Sequence, residues 1–317
     1  MPLSEFELID RYFRRIGAER ADVELGVGDD AAILQPPAGQ RLVATVDTLA
    51  RGVHFPADAP PSSVGHKALA VNLSDLAAMG ATPAWATLSL TLPEVDEDWL
   101  RGFAQGFDAL ARRYGVALVG GDTTRGALCI SVQAMGFTAN PLRRDGAGPG
   151  DRVYVTGTLG DAAAGLESWQ RAERGTDVEA LQERLNRPDP RVALGRRLEG
   201  VASACVDVSD GLAADAGHIA ERSGVAIRLR GQDIPLSPAL SRYVEPNRAL
   251  RWALTGGDDY ELCFTASASA ESEVRRAARE AGTAVTAVGT VEAGRGVQIV
   301  DAAGQELTDL TQGYHHF

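Results

Sequence analysis

The chain of 317 residues reads as an α/β protein with a mixed sheet, arranged in two halves. Three observations predict this. Strand-like apolar runs alternate with runs of helical spacing along the whole length. Several strand-like runs follow one another closely enough to pair antiparallel, so the sheet is not purely parallel. Finally, residues 139–151 (ANPLRRDGAGPGD) concentrate Gly, Pro and charge, and beyond them the strand–helix pattern starts again. At about 150 residues per domain, the length agrees with two domains. Their bounds are read as 1–138 and 150–317, with a linker at 139–149.

The elements follow in order. Residues 4–16 place Phe6, Ile9, Tyr12, Phe13 and Ile16 at helical spacing, with Ser4 as N-cap and Glu7 completing a capping box. LGVGDDAAIL is a Gly-rich strand and turn, and RLVATVDTLA a strand. Residues 62–79 form a long helix stopped by Gly80 and Pro83. WATLSLTLP is a strand, and Asp96 to Tyr114 a helix with Trp99, Phe103, Phe107 and Leu110 on one face. VALVGGDTTRGALCISVQAMGF reads as two strands joined at the Gly–Asp step. In the second half come a strand at 152–157, a helix from Asp161, a polar helical stretch to Asn186, and a helix from Arg187 to Gly200 opened by Pro190. ACVDVSDGL then runs into a helix at 210–223. IRLR, ALTGGDDYELCFTA and AVTAVGTV are strands, with a helix near 270–281.

Composition narrows the function. Asp and Glu number 43 against 31 Lys and Arg, a formal charge of −12, which repels phosphate backbones and argues against nucleic acid as a partner. No run reaches the roughly 20 apolar residues of a membrane span. The first ten residues carry three acids and no basic side chain, unlike a targeting peptide. Cys129, Cys205 and Cys263 lie far apart in apolar runs and read as reduced core residues, so the cytoplasm is the expected compartment. Lys67 is the single lysine, and S-S-V-G-H-K-A-L-A fits neither a P-loop nor a protein-kinase strand. If the protein handles ATP, it does so without those devices. Lys67 itself stays open between a phosphate contact and an ion pair on the helix surface.

Five segments each deliver aspartate to a glycine-rich or helix-capping turn: Gly28-Asp29-Asp30, Thr45-Val46-Asp47-Thr48, Asn72-Leu73-Ser74-Asp75, Gly120-Gly121-Asp122-Thr123-Thr124 and Asp207-Val208-Ser209-Asp210-Gly211. Magnesium takes hard oxygen ligands, commonly carboxylates with substrate phosphates and water. Glycine permits close approach to phosphate, and helix N-termini add N–H donors. Taken singly, each segment also reads as an ordinary turn or cap, and Asp210, directly before a helix, as a good N-cap. Asp75 fits that reading less well, because an acid late in a helix opposes the macrodipole. Five such segments together point to metal–phosphate chemistry.

These residues resemble a known family. VGDDAAIL, TVDTLARGVHF, KALAVNLSDLAAMGATPAW, GGDTTRG, RRDGAGPGDRVYVTGTLGDAAAGL, VDVSDGL and GGDDYELCFT are similar, in the same order, to segments of the thiamine-monophosphate kinases. That family stands in the aminoimidazole ribonucleotide synthetase-like superfamily, whose members use ATP without a P-loop. The resemblance implies a two-domain fold: an N-terminal α/β domain whose strands build a barrel across a homodimer, and a C-terminal α/β domain, with ATP in the cleft between them. It implies in-line transfer of the ATP γ-phosphoryl to thiamine monophosphate, with several Mg2+ ions, no phosphoenzyme and no general base. Matched by motif, Asp30, Asp47, Asp75, Asp122, Asp207 and Asp210 are the metal carboxylates, with Thr45 and Val46 supplying oxygens. Val46 stands where the family often has Thr, so only its carbonyl is available. Gly121, Asp122, Arg144 and Ser209 match ATP contacts, and His54, Asp258 and Tyr314 match positions facing thiamine phosphate. Asp258 replaces the family's usual Glu and is one methylene shorter.

On their own chemistry, His54 is a loop histidine, Arg144 a linker arginine, and Tyr314 an aromatic at a chain end that could stack on the thiazolium or pyrimidine. Trp85, Trp99 and Trp252 read as core or domain-interface residues. The rival readings are a sister synthetase acting on a ribonucleotide amide and a non-catalytic metal- or nucleotide-binding protein. Selenophosphate synthesis would want a reactive cysteine near the N-terminus, and the three cysteines lie elsewhere.

Overall fold

The computed structural model describes residues 5–307, with side chains from residue 7 onward. Ser4, Tyr314 and the rest of the GYHHF segment lie outside the described residues. The chain forms two compact units, Met1–Leu76 with Ala81–Ala139, and Asn140–Phe317 with Ala77–Gly80.

In the N-terminal unit, α1 (Glu5–Tyr12) precedes a short antiparallel ribbon of β1 (Val23–Leu25) and β2 (Ile33–Leu34). The strands β3 (Arg41–Ala50), β4 (Thr82–Leu92), β5 (Ala117–Arg125) and β6 (Cys129–Thr138) form one sheet in the order β3-β6-β4-β5. Only β4 and β5 are parallel neighbours. Helix α2 (Pro61–Ala78) joins β3 to β4, and α3 (Glu97–Tyr114) joins β4 to β5. Asp96 caps α3 by accepting the N–H groups of Asp98 and Trp99, each at 3.0 Å. Phe103, Phe107 and Leu110 are buried as their spacing requires, and Trp99 stacks on Phe103 with ring centroids 5.2 Å apart. Each such side chain withdrawn from water contributes about 1.5–3 kcal/mol.

Strand β3 lies at one edge of this sheet, and its side chains alternate in exposure. Leu42, Ala44, Val46 and Thr48 share the exposed face, with Leu42 54% and Val46 62% exposed.

In the C-terminal unit, β7 (Asp151–Thr156), β8 (Ala204–Val208), β9 (Ala226–Arg230), β10 (Glu261–Ser267), β11 (Val285–Glu292) and β12 (Gly296–Val300) form a six-stranded sheet in the order β12-β9-β11-β7-β10-β8. It is mixed, since only β12 and β9 run parallel. The helices are α4 (Asp161–Gln170), α5 (Thr176–Asn186), α6 (Val192–Gly195), α7 (Leu212–Ser223), α8 (Pro238–Tyr243), α9 (Pro246–Thr255) and α10 (Glu271–Ala281). The main core lies between α7 and the sheet, where Val153, Val206, Val208, Leu212, Ile219, Ile227 and Ile299 are fully or almost fully buried. Cys205 and Cys263 are buried free thiols, each pushed well up by burial, and Cys129 is free and half-buried.

Several expectations are corrected. Gly120-Gly121-Asp122 is not the link between two paired strands: it lies inside β5, which continues to Arg125. The following strand, β6, inserts between β3 and β4 instead of pairing with β5. GGDDY is likewise not strand. Helix α9 ends at Thr255, and β10 begins only at Glu261. Between them Asp258 and Tyr260 adopt left-handed φ values of 69° and 50°. The stretch 187–200 is one helical turn and a 3-10 turn (Arg196–Leu198), not a continuous helix. Lys67 is not on a surface, being only 2% exposed.

Candidate functional site

The N-terminal unit gathers Thr45, Asp47 and Asp75 where β3 meets α2. The Thr45 hydroxyl donates to Asp75 Oδ2 at 2.5 Å. Asn72, wholly buried one helical turn before Asp75, accepts the Asp47 N–H on Oδ1 (3.1 Å) and donates Nδ2–H to the Ala68 carbonyl (3.1 Å). This amide was not singled out from the sequence. Its signal was a polar residue in an otherwise apolar stretch of helix. It ties the free edge of β3 to α2 and sets the height of Asp47 beside Asp75. Burial, and then the charge of Asp75, push the Asp47 carboxyl up to about 6.

Val46 does not join this cluster. Its side chain is on the opposite, exposed face of β3. Because the Asp47 N–H leaves the free edge toward Asn72, alternation turns the N–H and C=O of Val46 toward β6. His54 follows β3 in a turn. Its ring Nδ1 accepts the Ala50 N–H at 3.0 Å, so the neutral ring carries its proton on Nε2.

A second set of residues borders a cavity of about 750 Å³ in the same unit. Asp30, Gly121 and Asp122 line it, with Ile9, Phe13 and Leu88 supplying apolar wall. Asp30 and Asp122 are exposed, and the Asp30 N–H is held by the Asp29 carboxylate at 2.8 Å. Gly121 has φ 150°, and a Cβ built there would stand 1.9 Å from the Leu88 carbonyl oxygen. Only glycine lets β5 lie this close to β4 while presenting Asp122.

In the C-terminal unit, β8 delivers Asp207, 5% exposed, and then the Ser209-Asp210-Gly211 turn that opens α7. Asp210 is not the N-cap expected of it. The cap position is Gly211 (φ 114°), and the capping acceptor is Asp215, whose Oδ2 accepts the N–H groups of Ser209, Asp210 and Gly211 at 3.0, 3.0 and 3.1 Å. Burial pushes the Asp215 carboxyl up to about 7. Carboxylate oxygens of Asp210 and Asp215 and a ring nitrogen of His218 lie within 4.8 Å of one another. Arg144 is exposed; its carbonyl accepts the Ser223 hydroxyl at 2.8 Å, and the Arg143 carbonyl accepts the Cys205 N–H at 2.9 Å. The 143–144 backbone thus runs along the outer edge of β8.

Asp258 is joined to the same turn. Its N–H donates to the Ser209 carbonyl (2.9 Å), the Tyr260 N–H donates to the Val208 carbonyl (2.8 Å), and the Tyr260 hydroxyl donates to Asp258 Oδ1 (3.0 Å). Immediately after, wholly buried Glu261 accepts from Arg184 (2.6 Å), from Arg191 through two nitrogens (2.6 and 2.5 Å) and from the Thr156 hydroxyl (2.5 Å). This two-arginine clamp anchors the C-terminal side of the Asp258 turn, and no local pattern in the sequence announces it.

Chemically, Thr45, Asp47 and Asp75 are hard oxygen donors. A half-buried carboxyl raised to about 6 beside a second carboxylate is one whose ionised form a divalent cation would stabilise, so the donors fit magnesium.

Residues 28–138 match the family model described as AIR synthase related protein, N-terminal domain, and residues 148–302 match that of the C-terminal domain. The thiamine-monophosphate kinase of Salmonella typhimurium is 47% identical over 323 residues, covering 100% of this chain and 99% of its own. That of Bacillus subtilis is 34% identical, covering 99% and 100%. Among solved structures, the thiamine-monophosphate kinase from Stenotrophomonas maltophilia superposes with a TM-score of 0.86 at 51% identity, covering 91% of this chain and 93% of the other. AaThiL complexed with AMPPCP and TMP superposes at 0.79 with 36% identity, covering 92% of each. A hydrogenase maturation protein, HypE, in complex with ATP shares the fold at 0.77 with 18% identity.

Proposed function

The chain belongs to the thiamine-monophosphate kinase family, and on that premise we propose that it transfers the γ-phosphoryl of ATP to thiamine monophosphate, giving thiamine diphosphate and ADP. The observation that carries this reading in the structure itself is the Thr45–Asp47–Asp75 cluster, a set of hard oxygens held by Asn72.

The acceptor is a phosphate monoester, whose oxygen is already a charged nucleophile near neutral pH. No base is needed, and the work of the protein is positioning and charge neutralisation. Magnesium, when bound, would neutralise charge on the polyphosphate as a Lewis acid. Asp30, Asp47, Asp75 and Asp122, with Thr45, are the proposed donors of the N-terminal unit, and Asp207 and Asp210 are separately the proposed donors of the C-terminal unit. Val46 is left out of the set. Gly121 and Asp122, and separately Arg144 and Ser209, are proposed to meet the nucleotide. His54 would offer Nε2–H to the substrate phosphate, with Asp258 toward the rest of the molecule. Tyr314 keeps the same proposed role from outside the described residues.

A homodimer is proposed, supported by the apolar residues on the exposed face of β3. A cytoplasmic location is proposed, supported by three free cysteines. Among the described residues, no helix is long and apolar enough to cross a membrane.

The test is direct. Purified protein with ATP, magnesium and thiamine monophosphate should yield thiamine diphosphate, resolved by chromatography. Absence of that product, with turnover of another acceptor, would overturn the proposal.

A further inference from the structure

A helix that starts directly after a Ser-Asp-Gly turn is a natural cradle for phosphate, because its first N–H groups have no partner inside the helix. The turn that leads into α7 has donors of its own, and these are already taken. Asp215, in the second half of the helix's first turn, reaches back and takes the N–H groups of Ser209, Asp210 and Gly211 on a single oxygen, Oδ2. Its own N–H donates to the Gly211 carbonyl at 3.0 Å, closing the turn from both directions. The side chain is 2% exposed, so water does not compete for these bonds.

We propose that Asp215 is a positioning residue for the reaction: it occupies the backbone donors of the 209–211 turn, so that the turn acts through the Ser209 hydroxyl and the Asp210 carboxylate and not through its N–H groups. This rests on the functional reading above, which assigns Ser209 and Asp210 to the nucleotide and its metal. The backbone so fixed also accepts from the Asp258 turn at the carbonyls of Val208 and Ser209. One buried carboxylate therefore holds the nucleotide-side turn and, through it, the substrate-side turn. Left-handed φ at Asp258 and Tyr260 strains that second turn, and the two bonds to the 208–209 carbonyls help to hold it in that conformation.

Asp210, Asp215 and His218 also lie close enough together to suggest a direct metal ligand role for Asp215. The three N–H donors that converge on Oδ2 assign Asp215 to the backbone of the turn instead.

The test uses full-length protein with Asp215→Ala, which removes the acceptor, Asp215→Asn, which keeps one acceptor oxygen without charge, and His218→Ala. The first readout is amide hydrogen exchange in metal-free, nucleotide-free protein. Asp215→Ala should speed exchange of residues 209–211 by roughly tenfold, given the loss of one hydrogen bond at each N–H, while the rest of the unit is unchanged. Asp215→Asn should fall between, nearer the parent. In turnover, Asp215→Ala should raise the KM for ATP and lower kcat, Asp215→Asn should recover most of both, and His218→Ala should match the parent. Unchanged exchange at 209–211 in Asp215→Ala would overturn the proposal, as would faster exchange spread through the whole unit. Asp215→Asn as inactive as Asp215→Ala, together with loss in His218→Ala, would make this a metal site and overturn it as well. If the parent protein does not phosphorylate thiamine monophosphate, the functional reading fails while the exchange result still reports on the turn.

Discussion

Asp75 and Asp122 show how differently two carboxylates of one proposed metal set are held. Asp75 is half-buried and receives the Thr45 hydroxyl, whereas Asp122 stands exposed at the rim of a cavity, presented by a strand that only Gly121 allows to lie so close to its neighbour. Asparagine keeps the shape of each side chain and one acceptor oxygen, so Asp75→Asn and Asp122→Asn should each lower kcat by about 100-fold or more while the melting temperature changes little. Steady-state kinetics and thermal melts on the same preparations check this; near-parent activity at saturating magnesium would make them structural residues. Asp47 yields a pH prediction. Its folded pKa is raised from 3.8 to about 6, so the native state holds this proton more tightly than the unfolded chain. That contribution is favourable below about pH 4 and is lost as pH rises through about 6. Asp47→Asn, neutral throughout, should therefore melt above the parent at about pH 8 in metal-free buffer, with the difference closing as pH falls from 6 to 4. A difference that is constant across this range would show that Asp47 is not the titrating group.

Among elements, the start of β10 is held by a buried cluster of charged groups. Glu261 sits wholly buried against Arg184, Arg191 and Thr156, linking β10 to β7 and to the segments around α5 and α6. A buried pair adds modest net stability, but removing one member leaves the other charges uncompensated. Glu261→Ala should accordingly cost about 3–5 kcal/mol, seen as a lower urea midpoint with an unchanged slope. A loss below about 1 kcal/mol would mean that the arginines find water or other partners.

For the whole molecule, the exposed apolar residues of β3 matter most. Leu42 and Val46 share a face of the N-terminal sheet and are 54% and 62% exposed, which is costly for an isolated surface but suited to a subunit contact. Sedimentation should give a particle near twice the 33.4 kDa chain mass, and the Leu42→Glu, Val46→Glu double variant should sediment as a monomer. A monomeric parent protein would remove the dimer from the proposal.

The order of most strands and helices, the α/β class, and the choice of aspartates were legible in the sequence, because these depend on local periodicity, capping chemistry and side-chain charge. So were the helix from Asp96 to Tyr114 and its apolar face, of which Phe103, Phe107 and Leu110 are buried. The tertiary structure decided the rest. Gly121 and Asp122 lie within a strand instead of a turn because the partner of β5 is β4, and not the strand that follows in sequence. The Ser209–Gly211 turn is capped by Asp215 instead of Asp210, because the buried side of α7 places that carboxylate under three N–H groups. Asn72 beneath Asp47 and the arginines around Glu261 are likewise meetings of residues distant in sequence. Charge and local propensity select which residues can do the chemistry; strand order and burial decide which of them meet, since those depend on contacts that no short stretch of chain contains.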